Sequence, residues 1–280
     1  MQLTKKPLKQ GEMLCTTTIR IESTDNKNRS YTGTGFFYSM DLPDNNYLPA
    51  IITNKHVVED CDKIKVVFTQ ADSVGNRTDK HFTAVIDNVL KSTILHPDPE
   101  VDLCCINISS VLKRLLDEGT HIHTYFINKH IIPSAAELNK LDAIEDILMV
   151  GYPDGLWDEL NNLPIARRGI TATDPKIDYE GRKEFLIDAA CFEGSSGSPV
   201  YYMDKSYKKE IVEGGLGYKI YLLGILCAGP KTEIYGELDR PTTKLITKMK
   251  ISLNLGFVIS ASELLPLEQE MLKAYERANG

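Results

Sequence analysis

Short apolar runs recur along the whole chain, separated by clusters of Gly, Pro, Asn, Asp and Ser, and most have the length of a β-strand. The six runs of the first half fall at 14–22, 31–39, 48–53, 64–69, 81–89 and 102–108. The six runs of the second half fall at 147–152, 164–173, 184–190, 198–203, 219–228 and 255–260. This pattern predicts an all-β fold made of two antiparallel sets of six strands.

Helical spacing of apolar residues is confined to the middle and the end of the chain. Helices are predicted at 109–119, at 134–144 and at 262–278, the last with Ser262 as its cap and Pro266 in its first turn. We expect a single domain, residues 1–280, made of an N-terminal barrel (11–125), a linker (126–145), a C-terminal barrel (146–260) and a terminal helix (261–280). A flexible lead-in is predicted at 1–10, and charged surface loops at 205–217 and 231–250.

Charge and cysteine content narrow the choice of partners and compartment. The net charge of −7 comes from interspersed basic and acidic residues, which argues against nucleic acid or an anionic membrane as a partner. No run approaches the ~20 apolar residues of a spanning helix, and the basic start lacks the apolar core of a secretory signal. Cys104 and Cys105 are adjacent on a predicted strand and therefore point to opposite faces, a poor disulfide framework. We expect reduced cysteines in a cytoplasmic protein.

The strongest chemical signal is a serine in a tight turn, Gly194-Ser195-Ser196-Gly197-Ser198-Pro199, just before an apolar strand. Glycine permits backbone conformations that are closed to other residues and lets a substrate approach closely. Such a turn can direct the amides of Gly194 and Ser196 toward one developing oxyanion. A plain surface loop is the competing interpretation, because turn residues dominate such stretches.

A base and an orienting carboxylate are available elsewhere in the chain. A serine hydroxyl is a good nucleophile only when a histidine accepts its proton and a third group orients that histidine. His56 follows an apolar strand, and Asp102 immediately precedes another. Asp98 and Glu100 are the nearest alternatives to Asp102, but neither directly precedes a strand. A buried structural histidine and a turn-capping aspartate are the competing interpretations.

Five blocks, taken in order, resemble the trypsin/chymotrypsin-like serine peptidases, particularly the bacterial branch that includes the HtrA/Deg protease domains. The blocks are Tyr-Thr-Gly-Thr-Gly-Phe-Phe (31–37), Thr-Asn-Lys-His-Val-Val (53–58), Asp-Leu-Cys-Cys-Ile-Asn-Ile (102–108), Gly-Ser-Ser-Gly-Ser-Pro-Val (194–200) and Gly-Ile-Leu-Cys-Ala-Gly (224–229). The resemblance implies a chymotrypsin-like fold of two six-stranded β-barrels with a cleft between them. It also implies that Ser196 is the nucleophile, His56 the general base and then acid, and Asp102 the orienting carboxylate. The amides of Gly194 and Ser196 would form the oxyanion hole.

The resemblance further implies a specificity pocket beside the serine. Ala190 would lie at its base, and Cys227, Ala228 and Gly229 would form its wall and the strand that binds the substrate backbone. Because no acid lies at the base, we expect a small or medium apolar residue at the cleaved bond, and not Arg or Lys. Core strand residues without ligand contact are the alternative. Secreted relatives can carry a disulfide here, so pairing of Cys191 with Cys227 stays open.

Two departures from the trypsin pattern bear on regulation. Ser195 stands where trypsin has an aspartate, and no Ile-Val-Gly-Gly cleavage site occurs near the start, so a new amino terminus cannot activate this chain in the trypsin manner. Ser198 replaces a glycine before the proline and adds a side chain close to the turn. If activity is controlled, we expect a regulatory partner or effector that orders the Gly194 turn.

The leading hypothesis is a serine endopeptidase that hydrolyses protein or peptide substrates through an acyl-enzyme. No cofactor is expected, and no metal, because the pair His121-x-His123 has no supporting thiol or carboxylate pattern. The alternative from another class is a catalytically inactive peptide-binding or interaction module on a protease scaffold, against which the presence of all three triad residue types argues. An esterase is disfavoured because the strand–elbow–helix context of α/β-hydrolases is missing.

Overall fold

The computed structural model describes residues 8–43, 46–211, 215–240 and 243–279. Helix α1 (Gln10–Thr17) comes first. The strands of the first half are β1 (Thr18–Asp25), β2 (Ser30–Asp41), β3 (Tyr47–Thr53), β4 (Cys61–Ala71), β5 (Arg77–Asp87), β6 (Thr93–Leu95), β7 (Cys104–Asn107) and β8 (His121–Ile122). The strand predicted from residue 14 is therefore wrong at its start. The Lys9 amide donates to the Glu12 carboxylate at 2.9 Å, which caps a helix there, and residues 1–7 of the predicted lead-in lie outside the described residues.

The first-half strands form one antiparallel sheet in the order β5-β4-β1-β2-β3-β7-β6, with β8 paired to β4. The sheet has eight strands where six were predicted, and within the described residues no hydrogen-bonded ladder joins its end strands, β5 and β6. Strand β5 ends at Asp87, the next residue, Asn88, has a left-handed φ of +49°, and a 3-10 helix (Val89–Ser92) continues into β6. The chain itself thus spans this side of the sheet, with Val89 fully buried.

The second half forms a closed six-stranded barrel, as predicted. The strands of the second half are β9 (Asp146–Gly151), β10 (Ile165–Thr171), β11 (Glu184–Asp188), β12 (Pro199–Ile211), β13 (Gly215–Ala228), β14 (Lys231–Arg240), β15 (Thr243–Ser252) and β16 (Leu255–Ser260). The barrel order is β10-β11-β16-β13-β12-β9, whereas β14 and β15 pair only with each other in the described part of the chain.

The two charged segments predicted as surface loops are mostly strands, so that prediction was wrong. Strands β12 and β13 extend into 205–217, and β14 pairs with β15 within 231–252. Residues 212–214 and 241–242 of the two predicted loops lie outside the described residues. The backbone register of β14 and β15 runs without a break from the pair Lys231 and Ser252 to the pair Arg240 and Thr243.

The helices follow their predicted positions, with one shortened. They are α2 (Ser109–Asp117), α3 (Ala135–Leu138) and α4 (Leu264–Asn279). The helix predicted over 134–144 is a single turn because, after the Ser134 capping box, the Asp142 amide donates to its neighbour Glu145, a local bond that competes with helix. The terminal helix is confirmed, but a 3-10 turn capped by Ser260 precedes it, so Ser262 is not its cap.

One apolar cluster joins the two halves and the terminal helix. Its members include Phe36, Ile52 and Leu103 of the first sheet, Val150, Tyr201 and Ile225 of the barrel, and Leu264, Leu267 and Met271 of α4. Separate clusters fill the interiors of the sheet and of the barrel. All six cysteines, Cys191 and Cys227 included, are unpaired. Within the described ranges, no helix combines the length and apolar character required to cross a bilayer.

Candidate active site

The register of the first sheet brings His56 and Asp102 to the same edge. Thr53, the last residue of β3, lies opposite Cys104, the first residue of β7, and the two strands are antiparallel. The chain therefore leaves β3 where it enters β7, and a 3-10 helix (Lys55–Val57) turns His56 toward the segment before β7. Strand register alone thus places the two side chains as neighbours, although they are far apart in the chain.

The carboxylate of Asp102 binds His56 through both of its oxygens. Nδ1 of His56 lies 2.5 Å from Oδ2 of Asp102, and the His56 amide donates to Oδ1 at 3.1 Å. The buried Asn54 side chain donates to the Asp102 carbonyl at 2.8 Å and fixes the backbone there. The alternative Asp98 instead accepts the amide of Glu100 at 2.9 Å within its own turn.

The environment of His56 favours its protonated form. Partial burial lowers the pKa of the imidazole, but the hydrogen bond and charge of Asp102, with a smaller contribution from Glu59, outweigh it and raise the pKa above its ordinary value of 6.5. The His56 side chain is still 44% exposed, so its outer nitrogen, Nε2, can be approached from the cleft. This is the arrangement that a general base requires.

The serine turn adopts two backbone conformations that only glycine takes easily. Gly194 has φ +78° and Gly197 has φ +87°. A Cβ on Gly194 would lie 2.6 Å from the carbonyl oxygen of Tyr152, and one on Gly197 would overlap the carbonyl oxygen of Thr34. Both glycines are therefore required by the close packing of the turn against the first sheet and the end of β9.

Thr34, fully buried on β2, ties the serine turn to the histidine strand. Its amide donates to the Ser196 carbonyl at 2.8 Å, and its hydroxyl donates to the Gly194 carbonyl at 2.9 Å. The same hydroxyl accepts the Tyr152 amide at 3.0 Å, while the Thr34 carbonyl accepts the Thr53 hydroxyl at 2.8 Å. One residue therefore connects the serine turn, the chain after β9 and the end of β3.

The peptide group between Glu193 and Gly194 has a fixed direction. The Glu193 carbonyl accepts the Asp154 amide at 2.6 Å, and because peptide groups in this chain are trans, the Gly194 N–H points the opposite way. Within the described residues neither this amide nor that of Ser196 donates to a protein acceptor. Both residues line a cavity of about 540 Å³ that His56 also lines.

The Ser196 hydroxyl donates to the carbonyl of Cys227 at 3.2 Å. A β-bulge in the pairing of β13 with β16 falls between Leu226 and Ala228, so Cys227 is the extra residue. Bulges re-aim backbone groups, and this one turns the Cys227 carbonyl toward the serine. The structure thus brings His56 to Asp102 by direct contact, and brings Ser196 and Gly194 to the same cavity.

The four predicted pocket residues surround the same turn. Ala190 precedes it, and its carbonyl accepts a side-chain hydrogen bond from Arg167. The buried Cys227 thiol donates to the Phe257 carbonyl at 3.3 Å, Ala228 is exposed, and Gly229 packs near the Cys191 carbonyl. Burial raises the pKa of the Cys191 thiol to about 11, with Arg167 opposing and Asp188 adding to the shift, so this thiol carries no charge at neutral pH.

Ser198, which replaces the expected glycine, lies with its hydroxyl against Gly151 at the end of β9. Its side chain is fully buried, and a Cβ on Gly151 would overlap the Ser198 hydroxyl. The extra side chain noted in the sequence is therefore accommodated by a glycine on the facing strand.

Arg167 is a site residue that the sequence did not reveal. It lies on β10, within the predicted strand 164–173, and its Nη1 donates to the Ala190 carbonyl and, at 3.0 Å, to the Ser195 hydroxyl. The only signal in the sequence is a charged residue inside a predicted barrel strand. Nothing in the local pattern indicates that Arg167 contacts the serine turn, more than twenty positions later in the chain.

A closed β-barrel and a β-sheet that together carry a His–Asp pair and a serine turn on one cleft define a chymotrypsin-like protein. The chain belongs to the family of trypsin-like peptidase domains, whose family model matches residues 33–206. This match confirms the resemblance drawn from the five sequence blocks. No curated protein sequence matches the chain.

One solved structure, with a TM-score of 0.50, supports the fold. Catalytically active tobacco etch virus protease with product is 12% identical, over 96% of this chain and 84% of that one, with a TM-score of 0.50. An HtrA-type protease, AlgW, with tripeptide is 17% identical over 93% of this chain and 61% of that one (TM-score 0.49). The serine endoprotease from Yersinia pestis is 17% identical over 96% and 68% (TM-score 0.48). The chain thus spans about three fifths of the length of AlgW.

Proposed function

We propose that this chain is a serine endopeptidase that uses Ser196, His56 and Asp102. The observation that carries the proposal is the 2.5 Å contact of His56 Nδ1 with Asp102, made by a histidine that shares a cavity with Ser196 and Gly194. Because Nδ1 faces a carboxylate, it carries the proton, and the other ring nitrogen is left to accept one. A carboxylate, an imidazole and a hydroxyl on one cleft are the parts that acyl transfer needs.

Substrate binding would free the Ser196 hydroxyl for the reaction. The hydroxyl now donates to the Cys227 carbonyl. A peptide laid along Cys227, Ala228 and Gly229 in β geometry would donate its own N–H to that carbonyl, and the hydroxyl would then turn to Nε2 of His56. We expect a small or medium apolar side chain at the cleaved bond, because Ala190, at the proposed pocket base, carries no charge.

The reaction would then proceed in two halves. His56 takes the Ser196 proton as the oxygen attacks the scissile carbonyl, and the amides of Gly194 and Ser196 donate to the resulting oxyanion. His56 passes its proton to the leaving amine, which leaves an ester on Ser196. In the second half, water gives a proton to His56 as its oxygen attacks the ester carbonyl, and His56 then returns that proton to the Ser196 oxygen as the C–O ester bond breaks and the acid product leaves. Asp102 stabilises the imidazolium in both halves.

A fluorophosphonate probe and a peptide library test this proposal together. Wild-type protein should label at Ser196 and cleave peptides, whereas Ser196→Ala should not label and should lose about 10⁴- to 10⁶-fold in kcat. Ser195→Ala, one residue away on the same turn, tests whether labelling is confined to Ser196. Equal labelling of wild type and Ser196→Ala would rule out the assignment.

The second candidate is an inactive peptide-binding module. The bond from the Ser196 hydroxyl to the Cys227 carbonyl is the observation that favours it, since that serine is not engaged with the imidazole. Peptide binding without probe labelling or turnover would support this candidate. If the peptidase is regulated, the Gly194 turn is the segment a protein partner would act on.

A further inference from the structure

Arg167 reaches the serine turn from the interior of the C-terminal barrel. It lies opposite Met149 in the β9–β10 ladder, so the two side chains leave the same face of the sheet, and Met149 is fully buried. The two acceptors of its Nη1, the Ala190 carbonyl and the Ser195 hydroxyl, lie at the two ends of the segment that contains Gly194. One guanidinium therefore holds both ends of that segment.

The contacts of this guanidinium do not compensate its burial. Nε and Nη2 are buried and find no acceptor within the described part of the chain, where no carboxylate lies at ion-pair distance either. Burial lowers the pKa of Arg167, and the more distant Cys191 and Asp154 only partly oppose this. Apolar residues in such places commonly give equal or greater stability. A purely structural role therefore does not account for an arginine at this position.

We infer that Arg167 is a positioning residue that holds the 190–195 segment so that the Gly194 amide and the Ser196 hydroxyl keep their places in the cavity. The inference rests on the proposed function, because it concerns the rate of that same reaction. Asp154 holds the Glu193 carbonyl and Thr34 holds the carbonyls of Gly194 and Ser196. Arg167 is the third residue that holds this region, and its contacts come from the barrel interior.

The test compares Arg167→Met and Arg167→Lys with a matched control, Arg168→Met. Arg168 is the next residue on β10, its side chain is 70% exposed, and it pairs with Asp146 at 2.6 Å on the outer face. For each full-length variant we would measure the rate of fluorophosphonate labelling, kcat and KM on a peptide that the wild type cleaves, and Tm. Ser196→Ala is measured alongside.

Arg167→Met should lower the labelling rate and kcat by about 10- to 100-fold, because the oxyanion donors lose their fixed direction. KM should change little, and Tm should be unchanged or higher. Arg167→Lys keeps the charge and one donor contact, so its kcat should lie between those of the wild type and Arg167→Met. Arg168→Met should behave like the wild type.

Wild-type kcat and labelling in Arg167→Met would overturn the inference. A loss of activity that tracks a fall in Tm would overturn it as well, because that is the signature of a structural residue. If Arg167→Met does not fold, the variants Arg167→Lys and Ser195→Ala provide the test. A reduced kcat at an unchanged Tm supports the inference, and a wild-type kcat in both variants refutes it. A wild type no more active than Ser196→Ala would instead reject the proposed function.

Discussion

The carbonyl oxygen of Glu193 accepts a hydrogen bond from the amide of Asp154 at 2.6 Å, and this bond sets the direction of the amide that follows it. The Gly194 N–H points away from Asp154, on the side opposite to the carbonyl. The first oxyanion donor of the proposed reaction is thus oriented by a backbone contact from the segment after β9, before any substrate binds.

Gly194→Ala should remove that orientation. The new Cβ would lie 2.6 Å from the Tyr152 carbonyl oxygen and 3.1 Å from the Gly155 nitrogen, so the turn must move. We expect kcat to fall about 10²- to 10³-fold, the loss typical of one missing oxyanion donor. Steady-state kinetics on a peptide substrate measure it.

Gly181→Ala is the matched control for this substitution. Gly181 has a similar φ of +76°, but a Cβ there meets nothing within 4 Å. Both variants carry the backbone strain of a left-handed alanine, and only Gly194→Ala disturbs the turn. Equal kcat in the two variants would contradict the assignment of the Gly194 amide.

The pH–rate profile should reflect His56. Protonated imidazole cannot accept the serine proton, so kcat/KM falls as the pH falls through the pKa of His56, which Asp102 raises above 6.5. Asp102→Asn removes the charge, so the acid limb should move to lower pH and kcat should drop by about 10⁴-fold, as serine-protease precedents indicate. An acid limb that does not move between the two proteins would refute the pairing.

The His56–Asp102 pair should also make the free energy of unfolding depend on pH, in a direction that the pKa of His56 determines. A pKa that is higher in the folded than in the unfolded state means that the folded protein binds the proton more tightly. The contribution of the His56–Asp102 pair is therefore fully present below pH 6.5 and is lost as the pH rises through the folded-state pKa. The measurement is the free energy of unfolding in urea from pH 5 to 9, for Ser196→Ala and for the double variant that also carries Asp102→Asn. The difference between the two proteins at each pH gives the contribution of the pair. A pair contribution that grows with pH would contradict it.

Gly151 and Ser198 should be energetically coupled. Gly151→Ala forces a methyl group onto the Ser198 hydroxyl and should cost about 1–3 kcal/mol of stability. Adding Ser198→Gly removes the main clash and should recover part of the loss, which a double-mutant cycle quantifies. Gly11→Ala is the control, since a Cβ on Gly11 meets nothing within 4 Å. Simple additivity of the two substitutions would show that the contact does not limit the packing.

Tyr38 should anchor the terminal helix. Its hydroxyl donates to the Glu268 carboxylate at 2.7 Å from a fully buried ring, and burial together with that charge raises the pKa of the phenol. Tyr38→Phe should lower the free energy of unfolding by about 1.5–3 kcal/mol, the range for hydrogen bonds to charged groups. Tyr47→Phe, at a ring that is 57% exposed, should change it by less than about 0.5 kcal/mol. Urea denaturation of both variants decides, and equal effects would refute the anchor.

The elements that carry His56, Asp102 and Ser196 could be predicted because their signals are local. Alternating apolar runs locate β3, β7 and β12, and Gly194 and Gly197 mark a turn that other residues cannot adopt. The closed second barrel follows from the same runs. The helical start at Gln10 was missed because Leu14 fits either a strand or a helix, and only the Glu12 contact decides between them.

Contacts between segments that are distant in the chain could not be predicted from the sequence. Arg167 and Arg168 are adjacent and equally charged, so the sequence does not indicate which of the two side chains faces the barrel interior. The hydrogen bond from Arg167 to Ser195 could therefore not be predicted. The fit of Ser198 to Gly151 depends on two strands that meet only in the folded barrel. The chain leaves β5 at Asn88, which has a left-handed backbone conformation, and an apolar pattern does not predict that conformation.

Because Thr34 bonds to the serine turn only once the barrel has docked on the first sheet, the order of synthesis matters to the proposed enzyme. A nascent polypeptide would contain His56 and Asp102, the proposed base and carboxylate, before Ser196, the proposed nucleophile, is synthesised. Proteolytic capacity would therefore arise in a single late event, after the last barrel strands have formed, and half-made molecules would be harmless to their neighbours.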